Sequence, residues 1–190
     1  MIRTTHTFTP IGGKVLDPQR ILRAVGVSRG MSVGDFGCGH NGHFVFPAAR
    51  LVGTDGYVHA VDIQSNVAQT IDSLAKSDGL TNIFSIVADA EKMGATKIPA
   101  STLDIVLLIN NQVDAVAHNN MLREALRAVR AAGHIIVIDW LGGNTVPFAP
   151  AIEERVDKDV VLRSAQGLGL RFVDEFRPGR YHYGLRFQKT

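Results

Sequence analysis

Ser32-Val33-Gly34-Asp35-Phe36-Gly37-Cys38-Gly39-His40-Asn41-Gly42 runs a short apolar strand into three glycines spaced G-x-G-x-x-G. Tyr57-Val58-His59-Ala60-Val61-Asp62 then brings a carboxylate to the end of a second strand, twenty residues beyond Gly42. Glycines at this spacing let the backbone turn sharply and approach a ligand closely, and the acid can accept hydrogen bonds from ribose hydroxyls. The combination of strand, glycine turn, helix, strand and acid predicts a pocket for a nucleotide-type cofactor.

Asp35 narrows the choice of cofactor. It lies two residues before Gly37, where a dinucleotide would place its pyrophosphate, and two anions there repel each other. S-adenosylmethionine (SAM) presents a cationic sulfonium and an ammonium group instead, so an acid at this position attracts it. NAD(P) remains the alternative, because Asp62 alone suits either ribose.

The rest of the chain repeats the alternation. Asp17-Pro18 opens a helix as an N-cap followed by proline, with Ile21, Leu22 and Val25 as its apolar stripe. Strands are expected at 32–36, 57–62, 83–88, 103–109 and 133–139, and helices at 42–52, 65–78, 118–131 and 153–167. Uninterrupted apolar runs from Ile105 to Ile109 and from Ile135 to Ile138 imply burial on both faces, as in a parallel sheet covered by helices. The last runs, Leu170 to Phe176 and His182 to Gln188, are joined too closely for a crossover, so they must be antiparallel, with Pro178-Gly179 as the turn. The expected fold is α/β, a doubly wound sheet, mostly parallel, ending in an antiparallel hairpin strand.

With 190 residues, 45% of them hydrophobic and 20% charged, the chain suits one domain, taken as residues 1–190 with the arm and first helix over 1–30 as a cover. Twenty basic against 18 acidic side chains are too even to imply nucleic-acid binding from bulk charge. Before the glycine turn, however, Arg3, Lys14, Arg20, Arg23 and Arg29 face only Asp17. One cysteine, Cys38, rules out an internal disulfide and disfavours a thiolate-rich metal site. No apolar run reaches the length of a membrane span, and a cytoplasmic location is expected.

The residues resemble the class I SAM-dependent methyltransferases, in particular the small type-11-like family related to the ubiquinone and menaquinone C-methyltransferases. Asp35-Phe36-Gly37-Cys38-Gly39 is similar to the family's first motif. Val61-Asp62-Ile63, Val87-Ala88-Asp89-Ala90 and Leu103 to Asn110 follow as its second, third and fourth strand ends. Tyr181-His182-Tyr183-Gly184-Leu185 near the end also resembles these small proteins. Gly39-His40-Asn41-Gly42 departs from the usual Gly-Pro-Gly or Gly-Ser-Gly and sets a titratable ring beside the cofactor's methionine end.

The resemblance implies a Rossmann-like, seven-stranded fold and SAM as methyl donor. It implies that Asp35, Phe36, Gly37, Cys38 and Gly39 hold the methionine part, Asp62 and Ile63 the ribose side, Asp89 and Ala90 the adenine, and that Asn110 lies under the transferable methyl. Asp89 also reads as a helix N-cap before Glu91 and Lys92. If the acceptor must lose a proton, a histidine is the natural base, with His40 first and His43, His118 and His182 also within reach of the rim. His59 and His134 sit at strand starts, the wrong end of the sheet.

Ile109-Asn110-Asn111-Gln112-Val113 lacks the Asn-Pro-Pro-Tyr pattern of amino-group methyltransferases, which disfavours a base or glutamine acceptor. Arsenite chemistry would need more cysteines, and Trp140 follows Asp139 where a metal site wants another oxygen, so no metal is expected. The expected acceptor is a small organic molecule. It would be enclosed by the arm Phe8 to Val15, the loop Trp140 to Pro150 and the hairpin around Tyr181 to Tyr183, with Phe8, Trp140, Phe148, Tyr181 and Tyr183 as aromatic walls. A SAM-binding protein without catalysis and an RNA methyltransferase using the basic first helix are the alternatives.

Overall fold

The computed structural model describes residues 15–111, 115–143, 147 and 149–190. Of the residues singled out in the sequence, Arg3, Phe8, Lys14, Gln112, Val113 and Phe148 lie outside the described residues. Among the described residues, seven strands form one sheet in the order β3-β2-β1-β4-β5-β7-β6. They are β1 (Ser32–Phe36), β2 (Tyr57–Asp62), β3 (Ile83–Val87), β4 (Leu103–Ile109), β5 (Val129–Trp140), β6 (Arg171–Gly179) and β7 (His182–Gln188). The first five run parallel, β7 is antiparallel to β5, and β6 is antiparallel to β7. The doubly wound sheet with a reversed C-terminal hairpin is therefore present.

Among the described residues, five α-helices cover the two faces: α1 (Pro18–Ala24), α2 (Val45–Val52), α3 (Ser65–Ser77), α4 (Ala115–Ala128) and α5 (Lys158–Gly167). On one face Leu22, Val45, Val52 and Ile71 of the first three helices pack on Val33, Val58, Leu107 and Ile138. On the other, Leu122, Ala125, Val161 and Ala165 pack on Val106, Val137, Tyr183 and Phe187. Each fully buried Leu, Ile or Val contributes about 1.5–3 kcal/mol, so the two cores fix which end of every strand meets solvent. The helix ends follow local chemistry. Asp17 accepts the Arg20 N–H at 3.1 Å to start α1, and Asp157 accepts the Asp159 N–H at 2.8 Å to start α5.

Several boundaries differ from expectation for steric reasons. The helix expected at 118–131 ends at Ala128, and residues 129–131 begin β5, where Val129 pairs with Leu103. Gly133 sits at the irregularity that follows, with the Asp104 carbonyl 2.8 Å from the point a Cβ would occupy. The helix expected from 42 starts at Val45, because Gly42 turns with φ 51°. The helix expected at 153–167 divides into a 3-10 turn (Ile152–Glu154) and α5. Pro178-Gly179 belongs to β6 rather than to the hairpin turn, and Gly179 pairs with His182. Glycine is needed at 179 because the Val15 carbonyl oxygen lies 2.3 Å from where its Cβ would be.

Candidate active site

The carboxyl ends of β1, β2, β4 and β5 meet along one rim, the place where open parallel sheets bind ligands. At β1 the chain leaves the sheet through Gly37 and Gly39, with φ of 76° and 66°. The Gly37 and Cys38 N–H groups both donate to the Val61 carbonyl, at 2.8 and 3.0 Å. The Asp62 carboxylate holds the next turn of backbone, accepting the Gly39 N–H at 3.1 Å on one oxygen and the Gln64 N–H at 3.0 Å on the other. A Cβ on Gly39 would meet nothing within 4 Å, so the space above this peptide is open to a ligand.

Asp35 is 3% exposed and Asp62 8%. Burial, and then the charge of Asp62, push the Asp35 carboxyl up to about 7. Two acids this close and this dry are complementary to a cation. Burial and the same two carboxylates push the Cys38 thiol well above its ordinary range, so it is not a thiolate nucleophile at neutral pH.

The other candidates are placed as follows. The Phe36 ring is fully buried in the core beneath α4 and α5, so what Phe36 offers the rim is its backbone. Ile63 is 63% exposed immediately after Asp62, an apolar side chain in the open beside the second strand end. Asp89 accepts the Glu91 N–H at 3.0 Å and pairs with Lys92 at 3.3 Å, and Ala90 is buried beside it. Asn110 ends β4 in the left-handed region, φ 51°, with its N–H on the Ile138 carbonyl. Its side-chain oxygen is buried with no hydrogen-bond partner.

The histidines separate. His40 is exposed, with Nε2 3.2 Å from Asn66 Nδ2 at the start of α3. His43 is exposed against the edge of Phe44. His118 is buried on α4, and burial pushes its ring down to about 4. His182 pairs with Trp140 on the last rung between β5 and β7, which puts it on the rim. His59 and His134 lie within β2 and β5 rather than at their first residues. Tyr183 turns inward and donates its hydroxyl to the Val156 carbonyl at 3.0 Å, so it serves the core.

Two residues escaped the sequence reading. Asn111 donates its side-chain amide to the Phe36 carbonyl at 3.0 Å, linking the end of β4 to the glycine turn. Two consecutive amides after a buried strand were the available signal. Arg155 ties both ends of the expected loop, donating to the Leu141 carbonyl at 2.6 Å and to the Pro150 carbonyl at 2.9 and 3.0 Å. Burial pushes Asp139 up to about 7, with the Trp140 N–H and Arg155 opposing. Among the described residues no cluster of three or more His, Cys, Asp or Glu could hold a metal ion, and no helix is long and apolar enough to cross a membrane.

The sheet order, the glycine turn and the acids on the rim define a Rossmann-like fold of the methyltransferase kind. The methyltransferase domain family matches residues 27–162, and the chain belongs to that family, which uses SAM as methyl donor. The SAM-dependent methyltransferase of Aquifex aeolicus has the same fold, with a TM-score of 0.84 at 22% identity over 96% of this chain and 95% of that one. A SAM-dependent O-methyltransferase from Thermotoga maritima superposes with a TM-score of 0.65 at 19% identity, covering 92% and 64%. Aklanonic acid methyltransferase DauC of Streptomyces sp. (strain C5) is 37% identical over 100 residues, which are 53% of this chain and 41% of that protein.

Proposed function

We propose that the protein is a SAM-dependent methyltransferase acting on a small organic acceptor. The observation that carries this reading is the buried pair Asp35 and Asp62 flanking an open glycine turn. The residues present fit SAM: the pair is complementary to its positive end, and the free space over Gly39 admits its methionine portion. When bound, SAM supplies an electrophilic methyl group on a sulfonium.

Each residue then has a defined task. Asp35 offsets positive charge at the end of β1. Asp62 holds Gly39 and Gln64 by one lone pair on each oxygen and keeps others for ribose hydroxyls. Ile63 offers an apolar surface to the base, with Asp89 and Ala90 beside it. Asn110 and the rim beyond β5 orient the acceptor, and alignment of the acceptor is most of what a methyl displacement asks of a protein. A proton, where the acceptor must lose one, goes to a rim histidine, with His40 reaching the site from the solvent side. The partial relative DauC, named for aklanonic acid, supports an organic acceptor of small-molecule size.

Calorimetric titration tests the first half. SAM binds the intact chain and Asp62→Ala weakens that binding at least tenfold. Release of S-adenosylhomocysteine on addition of a metabolite extract tests the second half, and its absence with SAM-competent protein contradicts catalysis.

A further inference from the structure

The two edges of the sheet are built differently. At one edge β6 carries Arg171, Asp174, Glu175, Arg177 and Pro178, and its pairing with β7 slips between Phe172 and Asp174 and again between Phe176 and Gly179. Charge, proline and broken register are what keep an edge strand from pairing with another chain. At the other edge, Ile83-Phe84-Ser85-Ile86-Val87 of β3 has no charge and no proline, and it pairs with β2 without a shift from end to end. Phe84 is 50% exposed there and Val87 55%.

The hydrogen bonds at the two ends of β3 show which of its backbone groups are free. The Val58 N–H donates to the Asn82 carbonyl and the Ala88 N–H to the Asp62 carbonyl, both at 2.9 Å. Alternation along a parallel ladder therefore turns the backbone groups of Phe84 and Ile86 towards β2 and those of Ile83, Ser85 and Val87 out of the sheet. An antiparallel second copy of the strand, centred on Ser85, engages Ile83, Ser85 and Val87 of both chains. In that register Val87 faces the partner's Ile83 and Phe84 faces the partner's Ile86, so the pairs flanking the central serines are apolar on both faces.

Shape favours the same register. Phe84 pairs with His59 of β2 and shares its face of the sheet, with ring centroids 5.7 Å apart. Ile86, two residues on, lies on that face as well. His59 and Ile86 line a cavity of about 440 Å³ together with Ala95, Ile98 and Pro99. Pairing about Ser85 sets the partner's Phe84 opposite Ile86, beside this cavity, and symmetry does the same for Phe84 in the partner's cavity.

We propose that β3 is the interface of a two-fold homodimer in which the strands pair antiparallel about Ser85 and each Phe84 ring enters the other subunit's cavity. The contact is isologous, the same patch on both copies, so it closes at two subunits and leaves no further edge of this kind. None of the residues assigned to SAM lines the cavity, so the dimer stands or falls separately from the methyltransferase reading. One short strand pair with its rings is a small interface, below about 1,200 Å² in total, and the expected dissociation constant is micromolar.

Sedimentation equilibrium of the full chain without ligand tests this. The mass rises from 20.6 kDa towards twice that value across the micromolar range. Phe84→Lys and Val87→Lys place a charge on opposite faces of the edge at half-exposed positions, and each weakens the dimer about tenfold or more. Circular dichroism establishes that both variants are folded. Amide exchange read by NMR separates edge pairing from any other contact: the Ile83, Ser85 and Val87 N–H groups slow as the native chain dimerises, and they do not in Phe84→Lys. A chain that stays monomeric up to millimolar concentration overturns the proposal and leaves the edge to a strand of a different protein. A dimer that both lysine variants leave intact, or one whose Ser85 amide exchanges as fast as in the monomer, overturns it too, because another surface then holds the copies together.

Discussion

The Asn111 side chain fills the space a β-carbon on Gly37 would need. Its oxygen lies 2.0 Å from that point, while its amide donates to the Phe36 carbonyl one residue earlier. Gly37 also holds a φ of 76°, where any other residue is strained. Gly37→Ala therefore combines a clash with backbone strain, and a loss of about 1–3 kcal/mol is expected. Asn111→Ala removes one hydrogen bond at about 1 kcal/mol and frees the turn. SAM affinity falls in both, and the double variant loses less than the sum, because removing Asn111 clears the clash. Thermal melts and calorimetry on the four proteins of this cycle check it.

Asp35 gives the ligand-free protein a distinctive pH response. Its carboxyl titrates near 3.8 when unfolded and is pushed up to about 7 by burial and Asp62 in the folded chain. The folded state thus holds the proton longer, and stability from this group falls as pH rises from about 4 to 7, by something on the order of 4 kcal/mol. Asp35→Asn removes that cost, so its melting temperature without ligand at pH 8 rises by about 3–10 °C. The same variant binds SAM at least tenfold more weakly. In the native protein, SAM affinity increases as pH passes upward through 7, and the variant shows no such dependence.

Glu124 works in the opposite sense. It is fully buried and accepts the Gly94 N–H at 2.7 Å, the Thr96 hydroxyl at 2.5 Å and two Arg127 N–H groups at 2.7 and 2.8 Å. Burial alone would raise its carboxyl, but Arg127 and the other donors outweigh it and lower it below 4.5. Its stabilisation is present above pH 4.5 and is lost as pH falls through the lower folded value. Glu124→Ala strands Arg127 and costs about 3–5 kcal/mol, a drop of at least about 6 °C in melting temperature. Acid denaturation followed by circular dichroism shows whether the loss disappears at low pH.

Short-range patterns were legible and long-range contacts were not. The turn from Ser32 to Gly42 and the acid at Asp62 could be read because each property, such as apolarity, freedom at positive φ or charge, belongs to the residue itself. Continuous apolar runs in β4 and β5 revealed two covered faces for the same reason. Asn111, by contrast, is 75 residues from the carbonyl it meets, and only the register of β1 against β4 joins them. The start of β5 was hidden because Arg130 and Ala131 are exposed and Ala132 takes a φ of 60°, which breaks the strand pattern. Burial of His182 came from its pairing with Trp140 across an antiparallel ladder, a relation that neither local sequence contains.

On our proposal, two buried carboxylates at the glycine turn select a cationic methyl donor over a diphosphate. Side-by-side calorimetric titration of SAM and NAD into the intact chain at pH 8 tests it most directly. SAM is expected to bind at micromolar concentration, at least a hundredfold tighter than NAD, with the preference reduced in Asp35→Asn. Equal or tighter binding of NAD, or no heat from SAM at millimolar concentration, would contradict the account.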